Sequence, residues 1–429
     1  MKSRQLWFVA VLVIGWIGIN TGYAADVVAD VSASGKWQPM WDGKTLNGWH
    51  LIGSGKWTIE DGAIVARHQA NDGEFGHLVT DAIYRDFIVR IKYKSIKGNS
   101  GLYFRVDEKG FSGVTGFQAE IDWRNDAGGL YETNGRAWVV QPKPEDVKKW
   151  FKQDDWNEMV VAALGRNVVV YVNGMKSAEI RNDPGRLAGK FALQAHGGQD
   201  VEVMFKDLQI MTFDSLTAAG DLSAFRKPTG EWASVDAIVP NPNNDRALAA
   251  GGKPDAPTVY NGPKGATSNL FTQFEHGDVA AHIEFMIPKG SNSGIYFQSR
   301  YEIQVYDSFG VEKDKYPGIE CGGIYPRWIN NSEHEGHSPR INASLPPGQW
   351  QSFDVVFQAP KFDASGKKIA NAKFVKVVHN GQLIHENIEV TGPTRAAAFE
   401  DEKPLGPILF QGDHGPIAYR NVSIMRLGK

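Results

Sequence analysis

Between positions 291 and 308 a Ser-Asn-Ser-Gly turn launches a run whose residue types alternate. Ile295, Phe297, Ser299, Tyr301, Ile303 and Val305 fall on one side of a two-residue period. Tyr296, Gln298, Arg300, Glu302, Gln304 and Tyr306 fall on the other, with Asp307 just beyond. That period predicts a β-strand whose first set packs into a core. The second set offers an acid, amides, an arginine and tyrosines, a lining suited to a sugar-like ligand. An exposed face of hydrogen-bonded polar ladders is the plainer reading of the same pattern.

The pattern occurs twice. Residues 98–106 (GNSGLYFRV) and 116–122 (GFQAEID) repeat the turn, the strand and the paired acid and amide. Gln118 and Glu120 stand where Glu302 and Gln304 stand, in swapped order. Further landmarks keep the same sequence: 86–93 matches 278–285, Gly128-Gly129-Leu130-Tyr131 matches Gly322-Gly323-Ile324-Tyr325, and Asn173-Gly174 matches Asn380-Gly381. Gln194-Ala195-His196-Gly197 answers to Gln411-Gly412-Asp413-His414-Gly415. Asn99 and Trp156 are 57 positions apart, Asn292 and Trp350 are 58 apart. Two copies this large are a duplicated domain rather than a solenoid. The many short strands, with Asp-Gly and Asn-Gly turns, predict an all-β chain of two jelly-roll β-sandwiches. Helical periodicity is confined to 145–151. The expected units are 36–213 and 229–429, with 214–228 as linker.

At the N-terminus Lys2 and Arg4 precede an apolar run over 6–19, and Gly22-Tyr23-Ala24 offers small residues for cleavage. This reads as a signal peptide, 1–24, so the mature chain is expected to be exported, periplasmic or extracellular, with no integral membrane span. Its 429 residues suit two or more domains. The formal net charge of −3, with no basic stripe, argues against nucleic acid. One cysteine excludes an internal disulfide. Thirteen Trp and thirteen Tyr fit both sandwich cores and sugar-stacking surfaces.

Several runs together resemble the 3-keto-disaccharide hydrolase domain family: Trp41-Asp42-Gly43-Lys44-Thr45-Leu46-Asn47-Gly48-Trp49, the two Asn-Ser-Gly-φ-Tyr-Phe strands, Asn342-Ala343-Ser344-Leu345-Pro346-Pro347-Gly348-Gln349-Trp350, and Asp413-His414-Gly415-Pro416-Ile417-Ala418-Tyr419-Arg420-Asn421. The resemblance covers nearly all of the expected mature chain, twice. It implies a concanavalin A-like jelly roll, and cleavage of glycosides already oxidised to a ketone at sugar C3. It implies an oligosaccharide or 3-keto glycoside as partner and no cofactor.

A C3 ketone acidifies the hydrogen on C2, so a side-chain base can remove it and the C1 substituent can leave by elimination, helped by an acid; water then adds back. In the second copy His414 is the candidate base and Glu302 the acid, with Gln304 and Arg300 completing the catalytic set. Tyr296, Gln298, Asp307, Tyr325 and Gln411 are candidate sugar contacts. In the first copy the corresponding set is Tyr103, Arg105, Gln118, Glu120, Asp122, Tyr131 and His196. A turn histidine, an ion pair between Glu302 and Arg300, and a turn-capping Asp307 are the structural alternatives. Asp307, Asp413 and His414 could also bind a cation, yet neither an EF-hand run nor a His-x-Glu-x-x-His motif occurs, and His334, Glu335 and His337 read as a solvated loop, so no metal is expected. A non-catalytic tandem lectin is the main functional alternative. A conventional glycosidase would need two suitably placed carboxylates, for which Glu302 and Asp307 are the sole close pair in the second copy.

Overall fold

A computed structural model describes residues 24–110, 112–122, 124–312 and 319–428. The expected leader therefore lies outside the described residues, except for Ala24, which opens the helix Ala24–Ser34. Strand makes up 47% of the chain and helix 5%, so the fold is all-β. The short helix Pro144–Trp150 occupies the segment with helical periodicity.

Each half is a sandwich of two antiparallel sheets, in the concanavalin A-like jelly-roll class. In the first, one sheet runs Met175–Ile180, Asn167–Val172, Asn157–Leu164, Phe87–Lys97, Val201–Thr212, Ala63–His68, Lys56–Glu60, with Gln38–Pro39 added on Val201–Thr212. Its partner runs Ala137–Val140, Leu130–Thr133, Thr115–Ile121, Ser100–Asp107, Lys190–Ala195, Gly76–Thr80, Trp49–Gly53. Phe87, Val89, Ile91 and Tyr93 alternate inward against Leu102, Phe104, Phe117 and Phe191, which is why period-2 apolar runs fold this way. In the second half the large sheet centres on Ala418–Arg426, Val279–Met286, Gln351–Gln358 and Ala372–His379. The smaller sheet runs Leu270–Phe271, Leu409–Phe410, Asn292–Phe297, Tyr301–Tyr306.

The segment 214–228 is not a free linker. Asp214–Ser215 pairs with the final strand Ala418–Arg426, and Leu216 and Phe225 are buried in the second core. Apolar side chains at 216 and 225 leave water only by docking there.

The two large sheets turn their outer faces toward each other. Ile88, Ala162, Leu164, Tyr171 and Met211 from the first share one core with Ala280, Val356, Val378 and Met425 from the second. Val27, Val28 and Val31 of the N-terminal helix complete it. Beside this core runs a buried polar seam: Arg420 Nε donates to Glu284 Oε2 (2.7 Å), the Arg166 N–H to Glu284 Oε1 (3.1 Å), and His282 bonds Asp354 (2.6 Å). Burial opposes charge on His282, but Asp354 and Glu284 override it and lift its pKa to about 10. Burial likewise opposes ionisation of Glu284, and His282 and Arg420 overcome it, holding Glu284 at about 2. With the large sheets engaged in this contact, the smaller sheet of each domain is left to carry a site.

Candidate functional site

The stretch 291–308 is a hairpin rather than one strand. Asn292–Phe297 pairs with Tyr301–Tyr306, and Gln298 and Ser299 turn the chain with φ of 52° and 56°. Phe297 lies opposite Tyr301 and Tyr296 opposite Glu302, so the even-numbered residues of both strands still share a face. Tyr296, Glu302 and Gln304 lie on it, all buried, with Ile295, Phe297, Tyr301, Ile303 and Val305 in the core behind.

Glu302 rests over Gly294: a Cβ there would come within 2.9 Å of its carboxyl carbon. Burial raises the Glu302 pKa to about 8, partly offset by the Tyr296 hydroxyl. The acid is therefore mostly protonated at neutral pH. Tyr325, half-buried, donates its backbone N–H to the Glu302 carbonyl (3.1 Å), and its hydroxyl, already raised by burial, also feels the Glu302 charge. Gln304 sits opposite Gly294 with its amide oxygen buried and unpaired. The Gln411 N–H bonds the Gly294 carbonyl (2.9 Å). Beyond it, Gly415 packs so closely on Ser291 and Asn292 that a Cβ would lie 3.0 Å from the Asn292 nitrogen. This contact sets His414 at the rim, half-exposed, with Nδ1 bonded to Asp413 (2.6 Å).

Three expected members of this site lie elsewhere. Arg300 closes the turn: Nη1 donates to the Gln298 carbonyl (2.8 Å) and Nη2 to Asp401 (3.0 Å). Gln298 donates to the carbonyls of His276 and Pro404 (both 3.0 Å). Both side chains fasten a neighbouring loop because the turn ends the alternation that would have aimed them at a ligand. Asp307 accepts the Gly290 N–H (2.8 Å) and serves as a turn cap.

The first domain encloses a cavity of about 390 Å³ on the matching face, lined among others by Tyr103, Gln118, Glu120, Tyr131 and His196. Gln118 Nε2 donates to Glu120 Oε2 (2.8 Å) and to Gln194 Oε1 (3.3 Å), while Gln194 Nε2 donates to the Tyr103 hydroxyl (2.9 Å). The Asn99 amide donates to the other Glu120 oxygen. Burial pushes the Glu120 carboxyl well above the usual range, the Asn99 bond opposes this, and Asp122 and Asp126 add to it. His196 donates Nδ1–H to the Gly197 carbonyl (2.7 Å), leaving Nε2 as acceptor; burial lowers its pKa, so the ring is neutral. Tyr131 meets Trp138 edge-on at 5.3 Å. Arg105 and Asp122 are not part of this cavity. Arg105 is buried against Asp86 (3.2 Å) and the Arg85 and Gly165 carbonyls, and Asp122 caps the Arg124 and Asn125 N–H groups.

Residues not singled out from the sequence complete the first site. Asn99, Gln194 and Trp138 line the cavity, and His77 lies behind Tyr103 (rings 5.2 Å apart) with both nitrogens buried and unpaired. Gln194 had a signal, its match to Gln411 in the repeat. Burial lowers the His77 pKa to about 3, so it is neutral. Among the described residues no three His, Cys, Asp or Glu side chains converge as a metal site, and no helix is long and apolar enough to cross a membrane.

No curated protein matches the chain. Among solved structures, a candidate glycosyl hydrolase from Parabacteroides distasonis is 26% identical, covering 50% of this chain and 84% of its own, with a TM-score of 0.38. A carbohydrate-binding module from Bacillus subtilis is 19% identical, covering 38% and 96%, with a TM-score of 0.32. The model of the 3-keto-alpha-glucoside-1,2-lyase-like domain matches twice, over residues 36–211 and 213–425. The chain therefore belongs to the 3-keto-alpha-glucoside-1,2-lyase-like domain family, carries two copies of that domain, and is tied by it to carbohydrate chemistry.

Proposed function

We propose that this protein is an exported enzyme that cleaves the glycosidic bond of 3-keto glycosides by removing the C2 proton, eliminating the C1 substituent and then hydrating the product. The observation that carries this reading is Glu302, a carboxyl held near pKa 8 by burial on the hairpin face, with the Asp413–His414 pair fixed at the rim of that face. A neutral acid can protonate a departing alkoxide, and a histidine whose Nδ1 is occupied by a carboxylate presents Nε2 as a base. In this reading Gln304, whose amide oxygen is buried and unpaired, and Tyr325 hold sugar hydroxyls. Export rests on the basic, apolar and small-residue order of residues 1–24.

The test is incubation with a 3-keto glucoside beside its unoxidised parent, in deuterated water. Aglycone release from the oxidised sugar alone, with deuterium at C2 of the product, is the expected result. His414→Ala should slow release at the second domain's centre by about 10²–10⁴-fold. Equal cleavage of the unoxidised sugar, or no deuterium at C2, would sink the eliminative route; binding without any cleavage would leave a lectin.

A further inference from the structure

The two hairpins pair in corresponding register, and the register shows that their acids are transposed. Tyr103 lies opposite Gln118 and Gly101 opposite Glu120; Tyr296 lies opposite Glu302 and Gly294 opposite Gln304. Flanking bonds confirm the match: the Gly128 N–H bonds the Glu120 carbonyl as the Gly322 N–H bonds that of Gln304. The first-domain acid thus sits at the pair nearer the hairpin's start. There the Asn99 side-chain amide holds Glu120, and the Asn99 backbone carbonyl accepts the backbone N–H of His196 (3.3 Å), which brings the two residues' chain segments side by side. The second-domain acid sits one pair further along, a displacement of about 7 Å on a strand, beside Tyr296 and with its carboxyl over Gly294.

Acid–base spacing has a stereochemical consequence. In a gluco-configured chair the C2 hydrogen is axial. A β-glycosidic oxygen leaves from the same ring face as that hydrogen, so its acid and base must be close. An α-glycosidic oxygen is axial on the opposite face, so its acid and base must flank the ring.

We propose that the first-domain cavity is a second reaction centre, with His196 as base and Glu120 as acid, and that the transposed acids divide substrates by anomer, the first-domain centre taking 3-keto-β-glycosides and the second-domain hairpin face 3-keto-α-glycosides. The proposal rests on the eliminative reading above. His196 Nε2 takes the C2 proton, and the C–H electron pair becomes the C1=C2 double bond conjugated to the C3 carbonyl. The C1–O bond breaks with its electrons on the alcohol oxygen, which takes the Glu120 proton. Nothing is oxidised or reduced, and proton exchange with water resets both groups. The cavity admits a sugar ring, and Tyr131 and Trp138 supply aromatic surface for it.

The experiment uses the full chain with methyl 3-keto-α- and methyl 3-keto-β-D-glucopyranoside, whose poor leaving group makes the acid matter, and follows methanol. The parent should cleave both. Glu120→Gln should raise the α-to-β rate ratio about 10²-fold or more, and Glu302→Gln should lower it by a similar factor. Should Glu120→Gln fail to fold, His196→Ala carries the same expectation. Variants that lower both anomers in parallel, or that leave the ratio unmoved, overturn the division. A parent that cleaves neither oxidised glycoside overturns the eliminative reading itself.

Discussion

Glu302 gives the sharpest quantitative handle. With a pKa of about 8 it is roughly nine-tenths protonated at pH 7 and about one-tenth at pH 9, whereas an ordinary glutamate near 4.3 would be protonated about once in 500 at pH 7. Burial therefore supplies about 450 times more of the acid form at neutrality. The same shift has a stability signature. Well below about pH 4.3 both folded and unfolded states hold the proton. As pH rises from there to 8 the unfolded state ionises and the folded state does not, so this group removes stability at up to about 1.4 kcal/mol per pH unit, reaching on the order of 5 kcal/mol above pH 8. Glu302→Gln keeps the shape, stays neutral and abolishes that slope. Denaturant unfolding of parent and variant at pH 5, 6.5 and 8 should show the variant gaining on the parent by several kcal/mol as pH rises. In the parent, cleavage of methyl 3-keto glycosides at this centre should fall above pH 8, while a nitrophenyl leaving group should be nearly indifferent. A stability difference that stays constant with pH would mean that Glu302 ionises like a surface carboxylate, and the acid assignment would go with it.

Gly294→Ala inserts a methyl against the Glu302 carboxyl and the Tyr296 ring (2.9 Å from the carboxyl carbon and from the ring), so it should cost about 1–3 kcal/mol in unfolding and depress turnover without removing any reacting group; wild-type kinetics would show that the carboxyl can swing aside. Glu284→Ala strips Arg420, Asn421 and the Arg166 N–H of their shared buried acceptor and should destabilise by about 3–5 kcal/mol, measured by denaturant unfolding, with a smaller loss for Glu284→Gln; equal losses would mean that its charge contributes little.

Much of the fold was legible because strand alternation and the internal repeat are one-dimensional signals. Period 2 survived even where the hairpin was missed. The turn inserts three residues between Phe297 and Tyr301, so parity is conserved across it and Glu302 keeps the face assigned to it. The turn itself had no signal, since Gln298 and Ser299 adopt positive φ without the usual Gly or Asn. That gap is why Gln298 and Arg300 were grouped with the site although they tie down the loop around 401–404. Arg105 was misplaced for a longer-range reason: its partners come from Arg85, Asp86, Gly165 and Arg186, positions that only the folded chain brings together. The interdomain contact did leave a trace. Val279–Met286 is buried at every position, as a strand covered on both faces must be, and its outward set carries His282 and Glu284, which no single-sandwich reading explains.

The exchange of Gln118–Glu120 for Glu302–Gln304 shows where sequence and structure inform each other most. Glutamate and glutamine have nearly the same shape, so either order packs on the same hairpin, and an alignment of the two halves records only two conservative differences. Register turns those differences into a displaced carboxyl, because positions two apart on one strand share a face but not a cross-strand neighbour. Opposite Gly101 the acid meets the Asn99 amide; opposite Tyr296 it meets a phenol. Burial raises the pKa of both carboxyls, so the site did not need to move its acid to favour the neutral form. What the move changes is which pair of the hairpin carries the carboxyl, and under the division proposed above that placement selects the anomer.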